Sequence, residues 1–411
     1  MAGFLKEVSP RLKALSYVAE TLKFPWLDIK KTLDLKEAIG KRIAQQLNSE
    51  VPYPPYTRSL RDGYAVQSQD VVAATSGTPT FLKKTEEVLM GAILSFEIIQ
   101  GETASIPTGG ILPKGSDSVV MLEDTSFIGG LVEVRRGVQS GENILGHGEE
   151  IAKGEKVLSR GDLIDFSNVS ILSTLGVHSL SISTLRISLL STGDEVVPVE
   201  TSPLPPGCIR DVNSWSVSSF LRHYGFLTKY RGIVSDNDGE LEKRVKEELE
   251  LCDVLILSGG SSVGMRDHSS RVLEKLDNPG LLIRGINIAP GKPTLIAGCL
   301  ESKKLVVSLP GHPLSCLTVA YVLLLPLLLK LIGAENETYG HKLFLQLSKD
   351  LIARTGLEEF IPCKLDEMGN VLPLFAKSGY ISVLSKADGL IRIPEDRETV
   401  RKGETVEVWL W

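Results

Sequence analysis

The stretch Ile187-Ser-Leu-Leu-Ser191-Thr-Gly-Asp-Glu195 sets a short apolar run directly before glycine and acidic residues. The same order recurs at Val254-Leu-Ile-Leu-Ser258-Gly-Gly-Ser-Ser-Val-Gly264-Met-Arg-Asp267 and at Leu305-Val-Val-Ser-Leu309-Pro-Gly-His312-Pro. Apolar runs this short, bounded by turn residues, read as buried strands. Strands are expected at 187–190, 229–234, 254–257 and 305–309, alternating with helices near 213–224, 238–251, 267–276 and 313–331. That alternation implies a parallel sheet with helices on both faces. The helices differ in kind. Gly239-Glu-Leu-Glu-Lys-Arg-Val-Lys-Glu-Glu-Leu249 is amphipathic and charged on one side, whereas 313–331 is almost wholly apolar and belongs inside the protein. The apolar stretch Cys316 to Leu329 within it is interrupted by Pro326, ends at Lys330 and falls short of the roughly 18–20 residues of a membrane span.

Outward from this block the pattern changes. Residues 1–50 read as helical, with Leu12, Leu15 and Val18 at helical spacing and a second helix around Leu35 to Leu47. Val51-Pro-Tyr-Pro-Pro-Tyr56 breaks that pattern. Short β-like runs follow, separated by glycines: Ala104-Ser-Ile106, Ser118 to Leu122, Leu131 to Val134, Lys156 to Leu158 and Ser179 to Ile182. The tail, with Val371-Leu-Pro-Leu374, Gly389 to Ile393 and Thr405 to Leu410, reads as short strands of a small barrel or sandwich.

Composition narrows the function. A net charge of -6 argues against a nucleic-acid binder, which needs a basic face to neutralise phosphates. It leaves room for a small anionic ligand, because local basic groups and a bound cation can supply positive charge. Cys208, Cys252, Cys299, Cys316 and Cys363 are scattered without a C-x-x-C pair, and no H-E-x-x-H occurs. Disulfide frameworks and the common zinc sites are thus disfavoured, and a reducing, cytoplasmic location is expected. The segment Met1 to Ala19 carries Lys6, Glu7, Arg11 and Lys13 and lacks an apolar signal core. No membrane partner is expected.

In an open α/β sheet, ligands bind beyond the carboxyl ends of the strands. The residues there are Ser191, Thr192, Gly193, Asp194 and Glu195, then Asp236, then Ser258, Gly259, Gly260, Ser261, Gly264 and Asp267. Pro290, Gly291 and Lys292 lie nearby in sequence, and Pro310 and Gly311 follow the last strand. Glycines let backbone approach a ligand, and amide N–H groups ahead of a helix cradle anions. Carboxylates beside a phosphate cradle repel it unless a divalent cation lies between, so Mg²⁺ is expected, held by Glu195, Asp236 and Asp267. Simpler roles exist for each. Gly259-Gly260 fits an ordinary turn, Asp194 and Glu195 fit a helix cap, Asp236 fits the N-cap of the charged helix, and His312 fits a turn. Gly285-Ile-Asn-Ile-Ala-Pro-Gly-Lys292 is one residue too long for a P-loop, and Pro293 replaces the expected Ser/Thr. A second constellation, Arg58-Ser-Leu-Arg-Asp62-Gly-Tyr-Ala65 and Ile106-Pro-Thr108-Gly-Gly-Ile-Leu-Pro-Lys-Gly-Ser-Asp117, contains residues that commonly form turns.

These stretches, in this order, together with Asp211-Val-Asn213, Pro290-Gly-Lys-Pro293 and Ser378-Gly-Tyr-Ile-Ser-Val-Leu-Ser-Lys-Ala-Asp-Gly-Leu390, resemble molybdopterin molybdenumtransferase, the MoeA family. They are similar also to the C-terminal domain of gephyrin. The resemblance spans essentially the whole chain. It implies a multidomain α/β plus β protein, an elongated protomer with a central doubly wound domain, a β-rich second domain and a small C-terminal β-barrel domain. The implied domains are 1–50 with 141–182, then 51–140, 183–333 and 338–411. It also implies a homodimer whose cleft is shared between subunits, with Asp62 and Thr108 facing Glu195, Asp236, Asp267 and Lys292. The implied reaction inserts molybdate or tungstate into molybdopterin, cleaving adenylylated molybdopterin and releasing AMP. The adenylyltransferase of the preceding step and recipient molybdoenzymes are implied partners. A catalytically inactive scaffold and a molybdopterin adenylyltransferase are the alternatives. Two positions depart from the family pattern: Glu150 stands where Asp is usual, and His312 where Asn is frequent.

Overall fold

Six strands build the sheet that Ile187 opens: β1 (Ile187–Thr192), β2 (Thr228–Val234), β3 (Val254–Ser258), β4 (Pro279–Arg284), β5 (Leu295–Cys299) and β6 (Lys304–Leu309). Their order is β2-β1-β3-β6-β5-β4 in the computed structural model, which describes residues 8–259, 268–334, 340–375, 377 and 379–411. The four strands read from sequence are present and mutually parallel. The sheet is not wholly parallel, as had been expected, because β5 and β4 add an antiparallel edge. A parallel neighbour needs a crossover of about a dozen residues or more, and the turn between β5 and β6 is too short for one.

Four helices accompany the sheet: α1 (Asn213–His223), α2 (Asp238–Leu251), α3 (His268–Glu274) and α4 (Pro313–Leu331). Strand alternation decides which face each helix covers. Ile187, Leu189, Val254, Ile256, Leu305 and Val307 point one way, into a core with Val217 and Leu221 of α1, most of α4, and Ala14, Leu15 and Val18 of the helix Arg11–Thr21. Leu190, Leu255, Leu257 and Val306 point the other way, onto Leu241, Val245 and Leu249 of α2 and Val272 and Leu273 of α3. Helices thus lie on both faces, as the alternation implied.

Helix α4 is enclosed rather than lipid-facing, with 89% of its most apolar window buried. Each fully buried leucine there contributes about 1.5–3 kcal/mol. Its middle, Ala320–Leu324, widens to a π-helical turn just before Pro326, which has no N–H to donate to the Val322 carbonyl. That carbonyl instead accepts a 3.4 Å bond from Arg11 Nη1.

The expected second N-terminal helix does not form. Lys30–Asp34 pairs antiparallel with Ser179–Ser183, and Leu35–Ala38 makes only one helical turn. Gly40, at φ +76°, then reverses the chain, and Ile43 bridges to Ile182. Pairing with a strand far along the sequence overrides the local helical periodicity. The tail forms a sheet in the order Ile288–Ala289, Glu358–Leu365, Gly389–Ile393, Thr405–Leu410, His341–Gln346, with Val371–Pro373 also on Glu358–Leu365. Arg11, 4% exposed, fixes this sheet to the first helix by donating twice, at 2.8 Å, to Glu358.

The chain divides into two compact units, Met1–Gln45 with Ser159–Ile171 and Val177–Trp411, and Gln46–Leu158 with Leu172–Gly176. The second unit is a six-stranded sheet ordered Ser118–Met121, Gly63–Val66, Glu102–Ile106, Thr80–Glu87, Leu131–Val134, Thr125–Ile128. Tyr64, Val66, Leu82, Val120, Val132 and Val134 form its core. Gly63 is required there, since a Cβ would lie 1.9 Å from the Val120 carbonyl oxygen.

Candidate functional site

Register alone gathers the polar loops of the α/β sheet. Thr192 pairs with Val234, Ser191 with Ser258, Ser258 with Leu309, and Leu295 with Ser308. The segments following β1, β2, β3 and β6, and the one preceding β5, therefore emerge along one edge. Gly259 is the tightest point. At φ +105° its N–H donates to the Leu309 carbonyl at 3.3 Å, and a Cβ would sit 2.3 Å from the Thr192 carbonyl oxygen. Gly193 N–H donates to the Val234 carbonyl at 3.2 Å, and Gly311 lies beside Gly259. Gly291 is pressed on α4, where a Cβ would come 2.4 Å from Val319, and its carbonyl accepts the Thr294 hydroxyl at 2.7 Å. Pro290 precedes it after a cis bond, Lys292 is exposed, and Pro310 is buried.

Beneath the edge is a polar layer that the list of candidates omitted. Asp211, 4% exposed, accepts the Ser191 hydroxyl at 2.6 Å, the Tyr230 phenol at 2.9 Å and the Ser214 N–H at 3.1 Å. Burial, and then the bond to Asp211, pushes the Tyr230 phenol above its usual range. Asn213 donates to the Gly311 carbonyl at 2.8 Å, joining the start of α1 to the loop after β6. The signal available in sequence was Asp211-Val-Asn213 directly ahead of a helix.

Three buried polar atoms at this edge, Thr192 Oγ1, Asn213 Oδ1 and Asp236 Oδ1, have no hydrogen-bond partner among the described residues. Each such atom costs about 1–3 kcal/mol unless something else satisfies it. The acids here are not helix caps. Asp194 accepts the Asp236 N–H at 3.1 Å, no helix follows Glu195, and Asn237 rather than Asp236 caps α2. Burial, and then the charges of Asp194 and Glu195, holds the Asp236 carboxyl above its ordinary range. Asp238 joins His268 to Arg271 at the start of α3. His312, expected to be a turn residue, is the N-cap of α4, its carbonyl accepting the Cys316 N–H at 2.8 Å. Gly260, Ser261, Gly264 and Asp267 lie outside the described residues. Among the described residues, no group of three His, Cys, Asp or Glu side chains is gathered for a metal ion.

In the second unit, Asp62 and Thr108 meet. The Asp62 carboxylate accepts the Thr108 N–H at 2.8 Å, and both residues are exposed. The loop is pinned to the Arg58–Ser59 strand by Gly109 N–H on the Ser59 carbonyl at 2.8 Å. Asp117, a candidate turn residue, instead ties its carboxylate to Ser68: burial works to raise it, but the N–H and hydroxyl of Ser68, each at 2.7 Å, hold it below its usual range. Glu150 is exposed and donates its N–H to the Tyr53 carbonyl at 3.2 Å.

Three family descriptions match the chain in succession: "MoeA N-terminal region (domain I and II)" over residues 10–176, "Probable molybdopterin binding domain" over 188–330, and "MoeA C-terminal region (domain IV)" over 345–411. A molybdopterin biosynthesis protein of Methanocaldococcus jannaschii is 31% identical over 99% of both chains. The chain belongs to the MoeA family. A molybdopterin molybdenumtransferase of Haemophilus influenzae is 30% identical over 96% of this chain and 97% of its own. The crystal structure of the MoeA protein of Pyrococcus horikoshii OT3 superposes with a TM-score of 0.83 at 26% identity, covering 98% of this chain and 100% of that one. The MoeA fold therefore accounts for the α/β sheet, the β-rich unit and the C-terminal sheet together, and the α/β sheet with its polar edge is the segment matching the molybdopterin-binding description.

Proposed function

We propose that this MoeA-family chain is a molybdopterin molybdenumtransferase. It inserts molybdate or tungstate into molybdopterin, cleaving adenylylated molybdopterin with release of AMP, in molybdenum cofactor biosynthesis. The observation that carries the reading is the set of buried polar atoms, Thr192 Oγ1, Asn213 Oδ1 and Asp236 Oδ1, that have no partner among the described residues at the carboxyl edge of the parallel sheet. A polar, anionic nucleotide is the kind of ligand such an edge takes.

The chain's residues divide the work. The Gly259-Gly260 loop holds phosphate oxygens, and by the resemblance Ser191, Thr192, Gly193, Asp194, Ser258, Ser261, Gly264, Pro290, Gly291, Pro310 and Gly311 contribute to substrate binding. Lys292, exposed at the same edge, stabilises negative charge as the phosphoanhydride opens. Asp62 and Thr108 position the oxyanion or the pterin. The donor set Glu195, Asp236 and Asp267 is oxygen only, as Mg²⁺ requires. An Asp236 carboxyl raised by burial and by Asp194 and Glu195 also fits a divalent cation. Bound there, Mg²⁺ would supply the positive charge that lets carboxylates stand beside a pyrophosphate. The scattered cysteines support a cytoplasmic location, and the resemblance supports a homodimer whose cleft is shared between the α/β domain of one subunit and the β-rich domain of the other. It also supports exchange with the adenylyltransferase and with recipient molybdoenzymes.

The test is a single-turnover incubation of the full chain with adenylylated molybdopterin, Mg²⁺ and molybdate or tungstate. AMP and pterin-bound metal are followed together, and coupled appearance of both is expected. Tight binding without cleavage under either oxyanion would replace this reading with a scaffold.

A further inference from the structure

A cavity of about 230 Å³ opens at the amino-terminal edge of the α/β sheet, where β1 and β2 begin, the edge opposite the polar loops. It is well above the roughly 10–15 Å³ that one water needs, and below the ~300–1,000 Å³ typical of drug-sized ligands. Leu33, Leu185, Phe226 and Leu227 supply apolar wall, and Lys41, Arg42, Ser183 and Thr184 supply polar groups. Among the described residues, no carboxylate lines it.

Arg42 is the anchor. It is 6% exposed, stacks its guanidinium 5.4 Å from the Phe226 ring, and donates to the Tyr224 carbonyl at 2.7 Å and the Gly161 carbonyl at 2.6 Å. Those bonds occupy Nε and Nη1; Nη2 has no hydrogen-bond partner among the described residues. Burial depresses Arg42 to about 10, offset in part by Asp162, so this cation is short of solvent and of compensating charge. Among the described residues, the Lys41 ammonium donates only to the Glu37 carbonyl, and the Ser183 and Thr184 hydroxyls make no hydrogen bond. The Tyr224 carbonyl at the end of α1, which would repel an anion, is already occupied by Arg42.

We propose that this cavity is a second ligand site, separate from the polar edge, that takes a small organic anion with an apolar body, the anion on Arg42 and Lys41 and the body against Leu33, Leu185 and Phe226. An Arg42 Nη2 without a partner among the described residues, a charge offset only in part by Asp162, and an apolar wall specify that chemistry. Helix α1 runs from Asn213 at the polar edge to His223, and the cavity wall at Gly225–Leu227 follows it in the chain.

The experiment titrates the full chain with benzoate, phenylacetate and phenyl phosphate, with benzamide as the uncharged counterpart, by calorimetry and ligand-observed NMR. At least one anion should bind saturably in the millimolar range or tighter, with benzamide at least about tenfold weaker. Lys41→Met should weaken the anion about tenfold. Leu227→Trp, at an exposed rim position where folding is not at stake, should block the cavity and abolish binding with the unfolding temperature unchanged. The proposal is overturned if no anion binds, if benzamide binds equally well, or if binding survives Leu227→Trp, since a surviving phenyl phosphate would then occupy another site.

Discussion

Asp236→Asn tests the electrostatics of the polar edge. In the native chain, burial and then Asp194 and Glu195 raise this carboxyl, and its buried Oδ1 has no partner among the described residues. Its folded-state pKa therefore lies above the unfolded value of about 3.9. Below both values the group is neutral in both states and costs nothing. As pH rises through the window between them, the folded state loses a proton that it holds more tightly than the unfolded chain does, and stability falls. At pH 7 the ionised group thus works against folding. An amide removes the repulsion and adds an N–H that can donate to the neighbouring acids. Relief of an unsatisfied buried polar group is worth about 1–3 kcal/mol, and each kcal/mol raises the unfolding temperature of a large unit by about 2–4 °C. Calorimetric scans of the metal-free chain at pH 7 should show that rise, and scans near pH 4 should show it shrinking. Adding Mg²⁺ should raise the native protein's unfolding temperature more than the variant's. A variant less stable than the native chain at pH 7 would refute the reasoning, because it would mean the carboxylate is already satisfied.

Four further outcomes can be measured. Gly259→Ala should destabilise by about 3 kcal/mol, from its positive φ and the clash with the Thr192 carbonyl oxygen. Gly311→Ala, whose Cβ would meet only the Gly259 Cα at 3.7 Å, should fall within about 0.5 kcal/mol of native in the same denaturation assay. Arg11→Ala leaves Glu358 with Arg392 alone, 2.6 Å away, and frees the Val322 carbonyl; a loss of about 3 kcal/mol in thermal unfolding is expected. Mixing Asp62→Ala with Asp267→Ala homodimers should restore AMP release after subunit exchange, because one heterodimer cleft is then intact. No recovery despite demonstrated exchange would count against a site built from two subunits.

Much of the fold was legible because its causes are local. Apolar runs bounded by glycine and polar residues placed β1, β2, β3 and β6, and α2 matches its expected bounds, since amphipathic periodicity and the Asn237 cap lie within a few residues of each other. The buried character of α4 was readable from composition alone. Where pairing was distant, reading failed. Leu35 to Leu47 carries helical spacing, yet its neighbourhood pairs with Ser179–Ser183, and the antiparallel β4–β5 edge went unseen.

The candidate site divides in the same way. Its glycines and acids were visible as residue types, and Gly63 and Gly259 are positions where no side chain fits. What the sequence by itself determined is which residues flank each strand and which chemistry they carry. Only the tertiary structure decided the rest: that Asp194 bonds the backbone of Asp236 instead of capping a helix, and that Asp211 is the buried hub under Ser191 and Tyr230. It also decided that Arg42 is a desolvated cation on a cavity wall. The physical reason is that sheet register and burial are set by residues far apart in the chain. A carboxylate's partners, and hence its charge state, follow from that packing and not from its immediate sequence.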